Sequence, residues 1–226
     1  PSAVRNTLVF VVVVVVVEVI LGLGLTLLLS KVKKLTSAYR TILFFPLLIP
    51  PIAMGTMWRL MYDYNYGLIN QILALFEITG PTWTADKNLA LFCIMLVDIW
   101  HWTSFLFLLI LAGFESLPHE LAEAAKVDGA GEWQTIRYVF LPLLKPTIIT
   151  ATMLRTIMAF KVFDQIYLLT GGGPGTATEV LNLYIYKVYF TQNRLGYGAV
   201  LALLLALLTT AFVLIYKAVG RRIDKA

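Results

Sequence analysis

The chain has 226 residues, 59% of them apolar and only 14% charged, with a mean hydropathy of +0.82. A soluble domain of this size carries about a quarter charged residues, so both a water-soluble globule and a disordered chain are excluded. The net charge of +5 is modest and reports topology rather than nucleic-acid binding, and the single cysteine, Cys93, permits no internal disulfide. Residues 1–7 lack the basic flank and cleavage pattern of a signal peptide, and the apolar run that follows is long enough to span.

A membrane helix needs about 20 mostly apolar residues. Five segments qualify: 8–29, 41–62, 89–112, 139–163 and 197–219. The valine run at 11–17 reads as strand by propensity, but its continuation to Leu29 predicts a helix, because lipid offers a lone strand no partner. Pro46, Pro50 and Pro51 break the second span, which demands that protein or water cover the freed backbone. Residues 66–77 carry a weak apolar face (Leu68, Ile69, Ile72, Leu75, Phe76) suited to a membrane interface. Gly171–Gly175 must turn, and 179–190 is expected to dip back as a short helix, with Tyr184, Tyr186, Tyr189 and Tyr197 in an aromatic belt.

Basic residues set the orientation. Lys31, Lys33, Lys34 and Arg40 lie between spans one and two, and Lys126, Arg137 and Lys145 between three and four. Lys217, Arg221, Arg222 and Lys225 close the chain, whereas Arg5, Arg59, Lys87, Lys187 and Arg194 are spread over longer segments on the other side. The positive-inside rule places the 116–138 elbow and the C-terminus in the cytoplasm. Five spans then leave Pro1 outside, and a further N-terminal span is expected to be missing from this sequence. The fold predicted is an all-α polytopic transmembrane helical bundle, one domain over 1–226, with an outer loop and short helix at 164–196.

The elbow is the one polar, helix-forming block. Ser116 is a candidate N-cap with Pro118 in the first turn, and Glu120 and Glu123 suit the positive end of the helix dipole. Leu121, Ala124 and Ala125 make a shallow small-residue face, Gly129 suits a left-handed helix end, and 131–138 starts a second helix with Trp133 and Ile136 on one side. Such a face lets another backbone approach closely.

Ionisable residues inside a span mark function by default. They are Glu18, Asp98, His101, Arg155 and Lys161, the last near a helix end where it can snorkel. Glu18 serves either an interhelical hydrogen bond or transport. Asp98, His101, Trp102 and Phe105 share one helical face, a stripe that suits either helix packing or a polyhydroxylated ligand held by hydrogen bonds and ring stacking. Arg155 has two readings: it binds an anionic substrate group, or it neutralises Asp98 across the bundle.

Glu123-Ala124-Ala125, then Gly129, then Val139-Phe140-Leu141-Pro142 resembles the EAA signature of bacterial ABC-importer permeases, with valine in place of the usual isoleucine at 139. Phe163-Asp164, Leu169-Thr170-Gly171-Gly172-Gly173-Pro174 and Gly196-Tyr197-Gly198 resemble the carbohydrate-uptake branch of that family, of maltose permease F type. The resemblance runs from about Asn6 to Arg222. It implies a type I importer permease fold in a bacterial or archaeal cytoplasmic membrane. It implies an elbow that docks in a cytoplasmic ATPase through Glu123, Ala124, Ala125, Asp128, Gly129, Leu141 and Pro142. The implied sugar site has walls at Asp98, His101, Trp102 and Phe105, at Arg155, Met158 and Ala159, and at Leu47 and Pro51. The implied partners are a second homologous permease, two ATPase subunits and an external solute-binding protein. No cofactor is expected on this chain, with ATP and Mg held by the partner ATPase. Pro46–Pro51 and Gly171–Gly175 are the expected flexible points.

An ion-coupled secondary transporter would use Glu18 and Asp98 as ion sites, but it predicts internal repeats that are not evident and leaves the elbow unexplained. A membrane enzyme finds no support: His101, His119 and Cys93 are scattered and make no metal set, and the glycine run lacks the Gly-Lys-Ser/Thr of a P-loop.

Overall fold

The computed structural model describes residues 2–30, 36–118 and 120–223. Lys31, Lys33, Lys34 and Lys225 of the orientation argument, and His119, lie outside the described residues. Among the described residues every regular element is helical.

Helix α1 runs Ser2–Ser30. Thr7, Val11, Val14, Glu18, Gly22, Thr26 and Leu29 are buried and recur every three or four residues, while Val12, Val13 and Val16 face outward. This seam packs along α5, Ala90–Glu115. At its tightest point a Cβ on Gly22 would stand 3.0 Å from Phe107 N and 3.1 Å from Leu106 Cβ. Small residues of this kind let membrane helices approach closely. Gly22→Val is therefore expected to destabilise the bundle by about 1–3 kcal/mol. Thermal unfolding in detergent checks this, and an unchanged midpoint would show that the two helices part without cost.

The second apolar segment, expected at 41–62 as a span broken by its prolines, is broken at that place. It divides into α2 (Thr36–Phe44), a tight turn Phe45–Leu48 and α3 (Pro51–Met61), and the two arms bend by 93° at the break. Clash with a following proline ring drives the preceding residue to extended backbone. Ile49 (ψ 122°) and Pro50 (ψ 140°) both obey this, and Pro51 then starts α3 with its preset φ. The backbone near the break is covered by protein: Ser104 Oγ on α5 donates to the Leu43 carbonyl at 2.6 Å. Arg40 of α2 pairs with Glu115 at the end of α5. After α3 comes α4, Leu68–Ala74, where Leu68, Ile72, Leu75 and Phe76 are exposed on and just beyond the helix.

The elbow starts differently from the sequence expectation. Ser116 ends α5 instead of capping the next helix, its hydroxyl donating to the Gly113 carbonyl at 2.7 Å. The described helix α6 is Glu120–Val127. It closes at Gly129, φ +79°, with the Ala130 N–H on the Ala125 carbonyl at 2.9 Å. Of the small face, Ala125 is buried, Leu121 half-buried and Ala124 exposed. Helix α7, Glu132–Thr135, follows, with Gln134 Oε1 reaching back to the Gly131 N–H at 2.8 Å. It passes through a π turn at Ile136–Phe140 into α8, Leu141–Phe160. Pro142 has no N–H for the Tyr138 carbonyl, and the ladder slips so that Leu141 N–H bonds Ile136. The fourth span is thus one helical run, Glu132–Phe160, and begins earlier than the expected 139–163 because the elbow feeds it without a break.

The chain leaves α8 at Lys161 and folds back through α9, Asp164–Leu169, whose end is closed by Gly171 at φ +60°. The Gly171–Gly175 turn and the residues just after it are hydrogen-bonded to their surroundings. Thr178 Oγ1 donates to the Gly173 carbonyl at 2.8 Å, and Asn6 Nδ2 on α1 reaches the carbonyls of Thr176, Ala177 and Glu179 at 3.0–3.1 Å. Helix α10, Leu181–Tyr186, and a π turn at Lys187–Thr191 lead to α11, Leu195–Ile223, which lies against α8 with much of its apolar surface outward.

Candidate functional site

Three ionisable side chains from three helices meet in the bundle. Arg155 of α8 donates from Nε to Glu18 Oε2 at 2.6 Å and from Nη2 to Glu18 Oε1 at 2.9 Å. The same Nη2 pairs with Asp98 of α5. Each of the three residues is at most 1% exposed. The guanidinium also stands over the Trp102 ring, 5.1 Å from its centroid. Arg155 is therefore no lone cation. It neutralises Asp98, as one of its two readings held, and it also takes Glu18, whose partner the sequence did not reveal.

Next to this cluster, where the broken span meets α5 and α8, lies an open cleft of about 210 Å³. Pro51 and Trp102 stand on its walls with Met158 and Val162. Asp98, Lys161, Phe163, Asp164 and Gln165 supply the rest of its lining. Of the residues expected at a sugar site, Pro51, Asp98, Trp102 and Met158 reach this cleft. The others do not line it. Phe105 meets the Trp102 ring edge-on at 5.9 Å, and Ala159 is fully buried in the apolar core. Leu47 sits half-buried in the turn of the broken span. His101 is buried, T-shaped against Trp102 at 5.1 Å.

Sequence reasoning missed Val162 and Gln165, and treated Lys161 only as a snorkelling end and Phe163 and Asp164 only as part of a signature. They reach the cleft because α8 stops at Lys161 and the chain folds back over the opening. A polar cluster, Lys161, Asp164 and Gln165, directly after a span was the available signal.

At the elbow, Glu123, Ala124, Asp128 and Gly129 are exposed, Pro142 is exposed and Leu141 half-buried. Val127 (88% exposed) and Trp133 (67%) project from the same bend, a large apolar display at the end of a membrane bundle.

A helical membrane bundle with a broken span, a polar cleft at the break and an elbow between spans has the build of a solute-transport subunit. The chain belongs to the family described as binding-protein-dependent transport system inner membrane component, which its residues 7–225 match. It is 40% identical over 195 residues to the trehalose/maltose transport system permease protein MalF of Thermococcus litoralis, covering 86% of this chain and 66% of that one. It is 38% identical over 185 residues to the sulfoquinovosyl glycerol transport system permease protein SmoG of Agrobacterium fabrum, covering 82% and 60%. The chain thus spans somewhat less than two thirds of either relative's length. Among solved structures, a bacterial ABC transporter involved in import of the acidic polysaccharide alginate superposes with a TM-score of 0.90 at 24% identity, over 98% of this chain and 78% of that one. The MetNI methionine ABC transporter gives 0.68 at 17% identity, over 98% and 94%. These likenesses establish the fold.

Proposed function

We propose that this chain is a transmembrane subunit of an ATP-driven importer for sugars or sugar-like solutes, and that it forms half of the translocation pathway. The observation that carries this reading is the polar cleft at the broken span, set beside a buried ionic cluster, in a chain of this permease family. The two relatives' names, one for trehalose and maltose and one for a sulfonated glycoside, support a carbohydrate class of solute.

In this reading the cleft receives solute with Pro51, Asp98, Trp102 and Met158 in contact, framed by Leu47, His101, Phe105, Arg155 and Ala159. The elbow at 116–138 is the cytoplasmic coupling element. Glu123, Ala124, Ala125, Asp128 and Gly129, with Leu141 and Pro142 behind them, sit against an ATPase subunit. The 164–196 segment faces the external solute-binding protein. A second homologous permease completes the pathway, two ATPase subunits hold ATP and Mg, and the assembly occupies a bacterial or archaeal cytoplasmic membrane. ATP binding closes the ATPase pair, the elbow transmits that motion, and the cleft opens outward; hydrolysis resets it. This chain's part is to hold solute and move with the elbow. The ion-coupled alternative is disfavoured because both carboxylates it would use, Glu18 and Asp98, are engaged by Arg155.

The test is ATPase activity of the complex reconstituted with its binding protein in liposomes. Stimulation by a sugar-loaded binding protein is the expected result. An intact complex that no sugar stimulates would sink the importer reading.

A further inference from the structure

Between α3 and α5 the chain builds a second recess of about 450 Å³, against about 210 Å³ for the cleft, and the two share no lining residue. The distribution of basic residues puts this 62–89 segment on the external side. Asn70 braces its wall. Asn70 Nδ2 donates to the carbonyls of Tyr64 at 3.1 Å and Pro81 at 3.4 Å, and Oδ1 accepts from Trp83 Nε1 at 2.7 Å. A Cβ on Gly80 would stand 1.9 Å from that Oδ1, so glycine is needed for the loop to close here. Asp63 Oδ1 accepts from the Asn65 and Tyr66 N–H groups at 2.9 Å and sets the turn that carries Tyr64 and Asn65. A recess tied in this way is preorganised, which lowers the cost of binding.

Helix α4 gives the recess its polarity. Asn70, Gln71, Ala74 and Glu77 line it, whereas Leu68, Ile72, Leu75 and Phe76 are exposed on the opposite side of the helical repeat. Of the three acids between α3 and α5, Asp63 and Asp86 accept from backbone N–H groups of their own turns. Glu77 has no hydrogen bond or ion pair among the described residues. Its place is also an unfavourable one. It closes α4 at φ +59°, with the Ile78 N–H on the Leu73 carbonyl at 3.0 Å, a position where glycine or asparagine is usual. A carboxylate is disfavoured at the carbonyl end of a helix as well. The groups that meet a solute include donors and acceptors. The Glu77 carboxylate accepts, and so does Gln71 Oε1, because Gln71 Nε2 is taken by the Tyr66 carbonyl at 3.1 Å. The Asn65 amide and the Thr79 hydroxyl do both. All four residues are exposed, so a solute reaches them. Tyr64, 55% exposed, adds an aromatic ring to the lining. A few polar groups of both kinds beside a ring suit a polyhydroxylated ligand.

We infer that this recess is an external accessory subsite for a hydroxyl-rich sugar, in which Glu77 accepts from ligand hydroxyls and the Tyr64 ring lies against a C–H face. The inference rests on the importer reading above for its class of solute, and the subsite is separate from the cleft.

The experiment is photolabelling of the assembled permease–ATPase complex with diazirine-bearing maltose and trehalose, the labelled peptides being mapped by mass spectrometry. Label within 62–80 that excess plain sugar competes away is the expected result. Glu77→Gly separates binding from folding, because glycine suits the left-handed helix end while the carboxylate is deleted. Its thermal midpoint should hold or rise. Its half-maximal probe concentration for labelling 62–80 should increase at least about fivefold, the worth of one hydrogen bond. Glu77→Gln, which keeps an acceptor, should restore most of the labelling. No competed label at 62–80 would overturn the inference. So would a Glu77→Gly complex that labels like wild type, and if that complex also responded less to sugar-loaded binding protein, the recess would be a contact for that protein instead. Stimulation of ATPase by sugar-loaded binding protein keeps the two readings apart. Where stimulation is present and competed label absent, only the subsite falls; where both are absent, the importer reading falls with it.

Discussion

Replacing Arg155 by methionine is expected to cost about 3–5 kcal/mol of stability, the usual penalty for stripping one partner from a buried ion cluster. Methionine fills much of the same volume, so the loss is electrostatic. Glu18 and Asp98 would be left facing each other in the interior between α1, α5 and α8, with no cation and little water. The readout is the thermal midpoint and the monodisperse yield of the subunit in detergent. Two companions make the argument specific. Glu18→Gln keeps an acceptor for Arg155 and leaves its pair with Asp98, so it should cost less than Arg155→Met. The triple change Glu18→Leu, Asp98→Leu, Arg155→Met removes all three charges of the cluster together and should recover most of the stability, because a well-packed apolar cluster often equals or betters an ionic one. A triple variant as unstable as Arg155→Met alone would mean that packing, not charge, sets the penalty.

Much of the bundle was legible because membrane helices announce themselves by length and composition. The valine run of α1 folded against its strand propensity because, in lipid, only a helix bonds its own backbone. The prolines at 46, 50 and 51 marked the break, yet only their local dihedrals, acting on Ile49 and Pro50, turn that break into a near right angle. Gly129 was legible because a left-handed helix end admits few other residues. The buried cluster was half legible. The sequence displayed Glu18, Asp98 and Arg155 as misfits in apolar segments, but the Glu18–Arg155 bond joins residues 137 positions apart and depends on the depth and rotation of two helices. Ser116 misled for a local reason: serine satisfies orphan groups at either end of a helix, and here the Gly113 carbonyl claimed its hydroxyl. Val162 and Gln165 went unread as cleft residues because span-by-span reasoning does not show where the chain folds back after Phe160.

Gly129→Asp is expected to abolish transport while leaving the subunit inserted and the complex assembled. The position has φ +79°, and an added Cβ meets nothing within 4 Å, so the bundle has no steric reason to fail. Aspartate and asparagine tolerate the left-handed region better than most residues, so backbone strain is small for both. They differ in charge. An aspartate at 129 would add a carboxylate beside the exposed Asp128, on the bend that also presents Glu123 and Val127. If that bend seats in an ATPase cleft, the new charge is buried without a partner, a penalty of about 2–5 kcal/mol. Sugar uptake in proteoliposomes should then fall by at least about thirtyfold, the equivalent of the lower bound of that penalty. Gly129→Asn should retain most activity, and Gly129→Ala, uncharged but strained at positive φ, should fall between the two. Basal ATPase of the assembled Gly129→Asp complex should persist without response to sugar-loaded binding protein, the mark of a broken link rather than a missing subunit. Undiminished uptake by Gly129→Asp would show that the bend lies free of the ATPase and would move the coupling role elsewhere on the chain.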